Sequence, residues 1–206
     1  MKRNRVVVAV LALTLLVLAL PLTSQAAESV RYRFRGAFAT ASFFADDGCV
    51  ASYIDVSASD GRVQAAPGQP EVQSGTTLSL YQYDYCAGTT LLEGYGFAAL
   101  DADAFQIDRL TSATLHTTIT VDDWVSGASI PVEVNLAWSG TGATVRESNQ
   151  YHSRSPDFTY NVRYTATSRA ATAAGAVTIG GVNLTPAPAG WAILAKNADA
   201  AVWVSH

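Results

Sequence analysis

Histidine is scarce among the side chains of this sequence that could do chemistry: only His116, His152 and the final residue, His206. A serine hydrolase would need a serine held against one of them, with a carboxylate behind the imidazole. No Gly-x-Ser-x-Gly elbow is present to present such a serine, and no catalytic residue is assigned. Carboxylates are more plentiful, grouped as Asp46-Asp47, as Asp101, Asp103 and Asp108, and as Asp122-Asp123. Glycoside hydrolysis needs two carboxyls facing each other across about 5–10 Å of cleft, whereas adjacent aspartates between strands more often bind nearby backbone N–H groups and form turns. Asp101, Asp103 and Asp108 are the best local set for calcium, which takes six to eight oxygens, although they lack the spacing and central glycine of an EF-hand loop. No other cofactor is expected.

Aromatic side chains offer a different chemistry. Tyr81, Tyr83 and Tyr85 alternate with Gln82 and Asp84, so the three tyrosines share one face of a strand. Such a row can stack on sugar rings while its hydroxyls bond sugar hydroxyls. The same row can serve as cross-strand packing, with Tyr53 or Tyr95 as partner. Of the four tryptophans, Trp124 stands beside a turn, is expected to be exposed and is a further candidate for ligand stacking; Trp138 and Trp203 fit inward-facing positions.

Two cysteines, Cys49 and Cys86, complete the inventory. Their chemistry depends on compartment, and the start of the chain sets that. Met1-Lys2-Arg3-Asn4-Arg5 is basic, Val6 to Leu20 carries no charge, and Ser24-Gln25-Ala26 is a small-x-small triplet after Pro21. That order is the pattern of a secretory signal peptide, and the apolar run is shorter than the about 20 residues of a spanning helix. Residues 1–26 are read as the signal and residues 27–206 as a single domain. The protein is then secreted, cell-surface or periplasmic, and an even cysteine count outside the cytoplasm reads as a Cys49–Cys86 disulfide. That bridge requires the turns next to each cysteine to lie at one end of the domain.

Processing also changes the charge. The full chain has 13 basic and 17 acidic residues; without Lys2, Arg3 and Arg5 the balance is −7. No basic cluster is visible along the remaining sequence, which argues against nucleic acid as a partner. A glycan or a protein outside the cytoplasm remains open.

The elements that must position these groups have a period of two. Val30, Tyr32 and Phe34 alternate with Arg31, Arg33 and Arg35; Leu115, Thr117, Ile119 and Val121 alternate with His116, Thr118 and Thr120; Val132, Val134, Leu136 and Trp138 alternate with Glu133, Asn135 and Ala137. Half-buried strands read this way. Asp47-Gly48, Ala87-Gly88 and Gly180-Gly181 are turn signals. Asp60-Gly61 is read as the end of a strand, residues 61–75 as a long connection, and Asn197-Ala198-Asp199 as a turn between two strands. Arg169 to Ala174 is alanine-rich and fits either a helical turn or a bent strand. The fold expected is all-β and antiparallel, a β-sandwich or else a closed or partly open meander barrel. The outward alternation lacks the repeating aromatic girdles of a membrane-spanning barrel. The function expected is a non-enzymatic binding or structural role, with an extracytoplasmic hydrolase or carbohydrate-active enzyme as the alternative.

Overall fold

The computed structural model describes residues 30–64, 72–154 and 159–205. The signal peptide expected over residues 1–26, His206 and the Pro67–Pro70 stretch lie outside the described residues. The described residues form strands β1 (Val30–Asp46), β2 (Val50–Gln64), β3 (Val72–Asp84), β4 (Thr89–Ala99), β5 (Phe105–Asp108), β6 (Ser112–Asp123), β7 (Ser129–Arg154), β8 (Thr159–Ile179), β9 (Val182–Asn183) and β10 (Trp191–Ser205). The all-β antiparallel class read from the sequence is observed. All ten strands belong to one sheet, nine in the order β10-β1-β2-β3-β4-β6-β7-β8-β9 and β5 paired with β6 beside that path; β10 also pairs with β8, so the hydrogen-bonded path returns on itself. The connectivity is ring-like.

The period-two pattern explains which side of the ring is filled. Leu115, Ile119 and Val121 of β6 and Val132, Val134, Leu136 and Trp138 of β7 are buried in the main core. His116, Thr118, Thr120, Glu133 and Asn135 lie between them and are exposed. This is the reverse of a membrane barrel, whose outward band is apolar. Trp138 is the largest fully buried side chain. Its indole N–H donates to the Thr40 carbonyl at 3.0 Å, although β8 and β10 stand between β7 and β1 in the ring. The indole therefore spans the interior. Its register partners are Ala113 and Ala173, small residues that leave room for it. That accounts for the alanine-rich stretch 169–174, which is strand and not helix.

The buried face changes sides along the longest strands. In β1, Ala39, Ala41 and Phe43 belong to the main core, while Phe34 and Phe38, of opposite parity, belong to a second apolar cluster. The same exchange occurs in β8, from Ala173 and Val177 to Tyr164 and Ala166, and in β10, from Ala192 and Leu194 to Ala198 and Ala200. The exchange is marked by irregular pairing: between Lys196 and Asp199 of β10, and between Gly140 and Thr144 of β7. Bulges of this kind bend a strand and increase its twist.

Three features at this switch differ from the sequence expectation. Asn197-Ala198-Asp199 is not a turn but a bulge within one continuous strand, with Asn197 at φ 49°. The left-handed conformation that suggested a turn is absorbed by the extra residue of the bulge. Asp60-Gly61 does not end β2, which continues to Gln64. There Gly36 and Gly61 are register partners, and a Cβ on Gly61 would stand 2.5 Å from the Arg35 carbonyl. Gly61 marks a close approach of two backbones, not a stop. The connection expected over residues 61–75 is correspondingly shorter, since β3 begins at Val72 and pairs antiparallel with β2.

Candidate functional site

The first turn, between β1 and β2, is built by its own aspartates. The Asp46 carboxylate accepts from the Gly48 N–H at 2.7 Å, and Asp47 accepts from the N–H groups of Val50 at 2.7 Å and Cys49 at 3.0 Å. Those bonds, the Val50 N–H first, hold the Asp47 carboxyl below the usual carboxylate range. At the β3–β4 turn the Asp84 carboxylate accepts from the Ala87 N–H at 2.8 Å. Cys49 and Cys86 join the two turns in a disulfide with a Cα–Cα distance of 5.3 Å. Beside it the Tyr85 N–H donates to the Cys49 carbonyl at 2.8 Å. Both turns thus sit at one end of the sheet, as the bridge required.

From this braced end an aromatic row runs across three strands. Phe44 of β1 is the register partner of Tyr53 of β2, and Tyr53 of Tyr81 of β3. Their ring centroids are 4.8 Å and 6.2 Å apart, tilted by 47° and 45°. Tyr83 and Tyr85 meet edge to face with centroids 5.0 Å apart. Phe44 is 50 % exposed, Tyr53 44 % and Tyr85 57 %, so the rings pack against each other and still face solvent. The cross-strand packing of the tyrosine row is observed, Tyr53 against Tyr81, and part of the row stays open to solvent. The tilt makes the surface a ridge and not a flat plate. The Tyr85 phenol is pushed above its ordinary range, first by its hydrogen bond to the Tyr53 side chain.

Trp124 joins the far side of this face through β4. Tyr81 pairs with Glu93, and the backbone N–H of Trp124 donates to the Glu93 carbonyl at 2.7 Å. The turn carrying Trp124 is fixed by Asp123, whose carboxylate accepts from the Val125 N–H at 3.0 Å and from the Ser126 hydroxyl and N–H. The Ser126 hydroxyl leads in holding the Asp123 carboxyl below the usual range. Trp124 itself is 66 % exposed, in line with its place beside a turn. Tyr81, Tyr83 and Tyr85 share one face of β3, and the turn that carries Trp124 is bonded to β4 opposite Tyr81. Sequence reading missed Phe44, because the Phe43-Phe44 pair hides which ring faces out; only cross-strand register separates them.

The remaining candidates are dispersed. Asp101 and Asp103 are exposed between β4 and β5, Asp108 ends β5, and the backbone carbonyls of Asp101 and Asp108 close turns by accepting from Ala104 and Thr111. Among the described residues no group of three or more His, Cys, Asp or Glu side chains is placed to hold a metal ion. His116 is exposed on β6. His152 Nδ1 lies 2.6 Å from Asn161 Oδ1, an amide where a catalytic pair would place a carboxylate. Trp138 is in the core as expected. Trp203 is half-buried and lines a cleft among arginines instead.

No family model, curated protein or solved structure matches the chain. Its function has to be argued from its own surface.

Proposed function

We propose that the protein is an exported, non-enzymatic binding protein that takes a glycan on the aromatic face of β1–β3. The observation that carries this reading is the row Phe44–Tyr53–Tyr81, exposed at Phe44 and Tyr53 and half-buried at Tyr81, beside a disulfide between the two adjoining turns. Exposed aromatic surface of this extent marks an interaction site. The tyrosine hydroxyls, with Asp46 close enough to act on the Tyr85 phenol and Glu93 paired with Tyr81, supply the hydrogen-bonding groups that sugar hydroxyls need. A ridge of tilted rings suits a chain that threads between them, one sugar face to one ring. The disulfide supports export, because such bridges persist in oxidising compartments.

The test is a glycan array probed with the oxidised protein and with Tyr53→Ala and Tyr81→Ala. Retention of a glycan family by the parent protein, lost in both variants at an unchanged far-ultraviolet spectrum, is the expected result. No retention by the parent protein, or variants that lose the fold, would assign the row to packing and remove the proposal.

A further inference from the structure

The sheet collects a second, chemically opposite surface. Beyond the switch, the side of β1 and β2 that is apolar in the main core becomes cationic. Arg33 and Arg35 of β1, Arg62 of β2, Arg146 of β7, Arg163 of β8 and Lys196 of β10 line three adjoining clefts. They are six of the ten lysines and arginines that follow residue 26. The same clefts contain two carboxylates, Asp60 and Asp199, so this face carries about +4 in a chain whose net charge is −4. Register assembles it: Arg62 pairs with Arg35, Arg35 with Asp199, and Arg33 with Ala201, which pairs with Arg163.

The neutralisation is incomplete. Asp199 accepts from Arg33 at 3.0 and 2.6 Å and from Arg35 at 3.3 Å, and the Arg33 guanidinium leads in holding its carboxyl below the usual range. That one carboxylate is thereby shared between two cations. Among the described residues Arg62, Arg146 and Arg163 form no ion pair. Two arginines directly opposite each other, as Arg35 and Arg62 are, cost stability in a sheet. A fold that keeps such a pair beside an open cleft of about 690 Å³ has left room for an external anion.

The clefts also have groups that read hydroxyls. Arg33 and Arg163 flank a cleft of about 230 Å³ that Thr165 and Trp203 also line. Asn197 stands at the neighbouring bulge. Guanidinium forks match carboxylate and sulfate geometry, and the amide, hydroxyl and indole suit the ring that carries them. We propose that this face binds an acidic polysaccharide, a polymer of carboxylate- or sulfate-bearing sugars laid across β2, β1, β10 and β8. A membrane would favour a convex surface with apolar residues to insert; this one is indented. Single-stranded nucleic acid would favour several aromatic platforms for its bases; among the described residues Trp203 is the one aromatic lining these clefts.

The site is distinct from the aromatic ridge, being at the other end of β1 and on its opposite face, and stands independently of it. The experiment is affinity measured by thermophoresis with the oxidised protein against polygalacturonate and dextran sulfate. Neutral dextran, phosphatidylglycerol vesicles and an oligonucleotide of matched charge serve as comparisons. Arg62→Gln/Arg163→Gln is the test variant, chosen because neither side chain has an ionic partner among the described residues. Arg109→Gln/Arg154→Gln, outside the three clefts, removes the same number of charges and is the control. The expected result is binding to the acidic polysaccharides with a log–log salt slope of about −3 for four contacts. Arg62→Gln/Arg163→Gln should weaken it about tenfold or more and Arg109→Gln/Arg154→Gln should not. No binding to either acidic polysaccharide, equal losses in both variants, or equal affinity for vesicles or oligonucleotide would overturn the proposal.

Discussion

Substituting Gly36 by alanine tests the close approach on which the side-switching sheet depends. Gly36 lies within a strand and not in the left-handed region, so propensity alone would make alanine the better residue by about 0.5–1 kcal/mol. Packing reverses the sign. A Cβ at Gly36 would fall on the Asp60 carbonyl oxygen and lie 2.5 Å from the Gly61 Cα. Both are backbone atoms that cannot rotate away. Ordinary contact begins near 3.4 Å, so β1 and β2 would have to part by about 1 Å from a ladder spacing of about 4.8 Å. Weakening two ladder hydrogen bonds costs about 0.5–1.5 kcal/mol each, and the overpacking strain adds about 1–3 kcal/mol. The net is about 3 kcal/mol of destabilisation. For a domain of this size that lowers Tm by about 6–12 °C. The control is Gly48→Ala, at φ 93° with nothing within 4 Å of its Cβ, where only the left-handed backbone is strained, at about 1–2 kcal/mol. Thermal and urea unfolding of the two variants decide the matter. If Gly36→Ala is as stable as the parent, or less damaging than Gly48→Ala, the reasoning fails.

Two further outcomes follow from the braced end and the ionised carboxylates. Replacing Cys49 and Cys86 together by alanine opens a crosslink across a sequence separation of 37, and the chain-entropy relation gives a loss of about 4 kcal/mol. Peptide mapping of the parent without reductant should recover one linked species, and an unchanged unfolding midpoint in the variant would refute the estimate. On acidification, Asp47, Asp123 and Asp199 act together, because all three carboxyls are held below their ordinary range in the fold. Their stabilisation is complete above the unfolded value of about 3.9 and is lost as pH falls through the lower folded values. A Tm that is flat above about pH 5 and falls below about pH 4 is expected; a Tm that rises on acidification would contradict the geometry.

The alternation in β6 and β7 was legible because one face of each is buried along the ring and every second residue reports it. The Asp47-Gly48 turn was legible because its signal is local: an aspartate side chain bonding its own backbone. The disulfide followed from compartment and parity of count, and it placed two turns together before any register was known. Asp60-Gly61 and Asn197-Ala198-Asp199 misled for a common reason. Glycine and asparagine report a backbone requirement, but a bulge, a close approach and a turn all impose one. Only the partner strand distinguishes them.

The arginine face shows what sequence reading leaves out. Arg33 and Arg35 were visible as the polar half of an alternating strand, and by themselves looked like a solvated surface. Arg62, Arg146, Arg163 and Lys196 are scattered through the chain, so no run of basic residues announced them. Antiparallel pairing brings residues distant in sequence into one row, and the change of buried side decides which face that row occupies. In the main core the odd positions of β1 hold Ala39, Ala41 and Phe43; past Gly36 the same parity holds Arg35 and Arg33. The strand keeps its alternation throughout and exchanges the meaning of its two faces. Apolar inside and cationic outside are therefore two ends of one row, and the close approach of Gly36 and Gly61 also forms part of the lining of the cleft of about 690 Å³. Gly36→Ala should then weaken polyanion binding as well as the fold, whereas Gly48→Ala should leave binding intact.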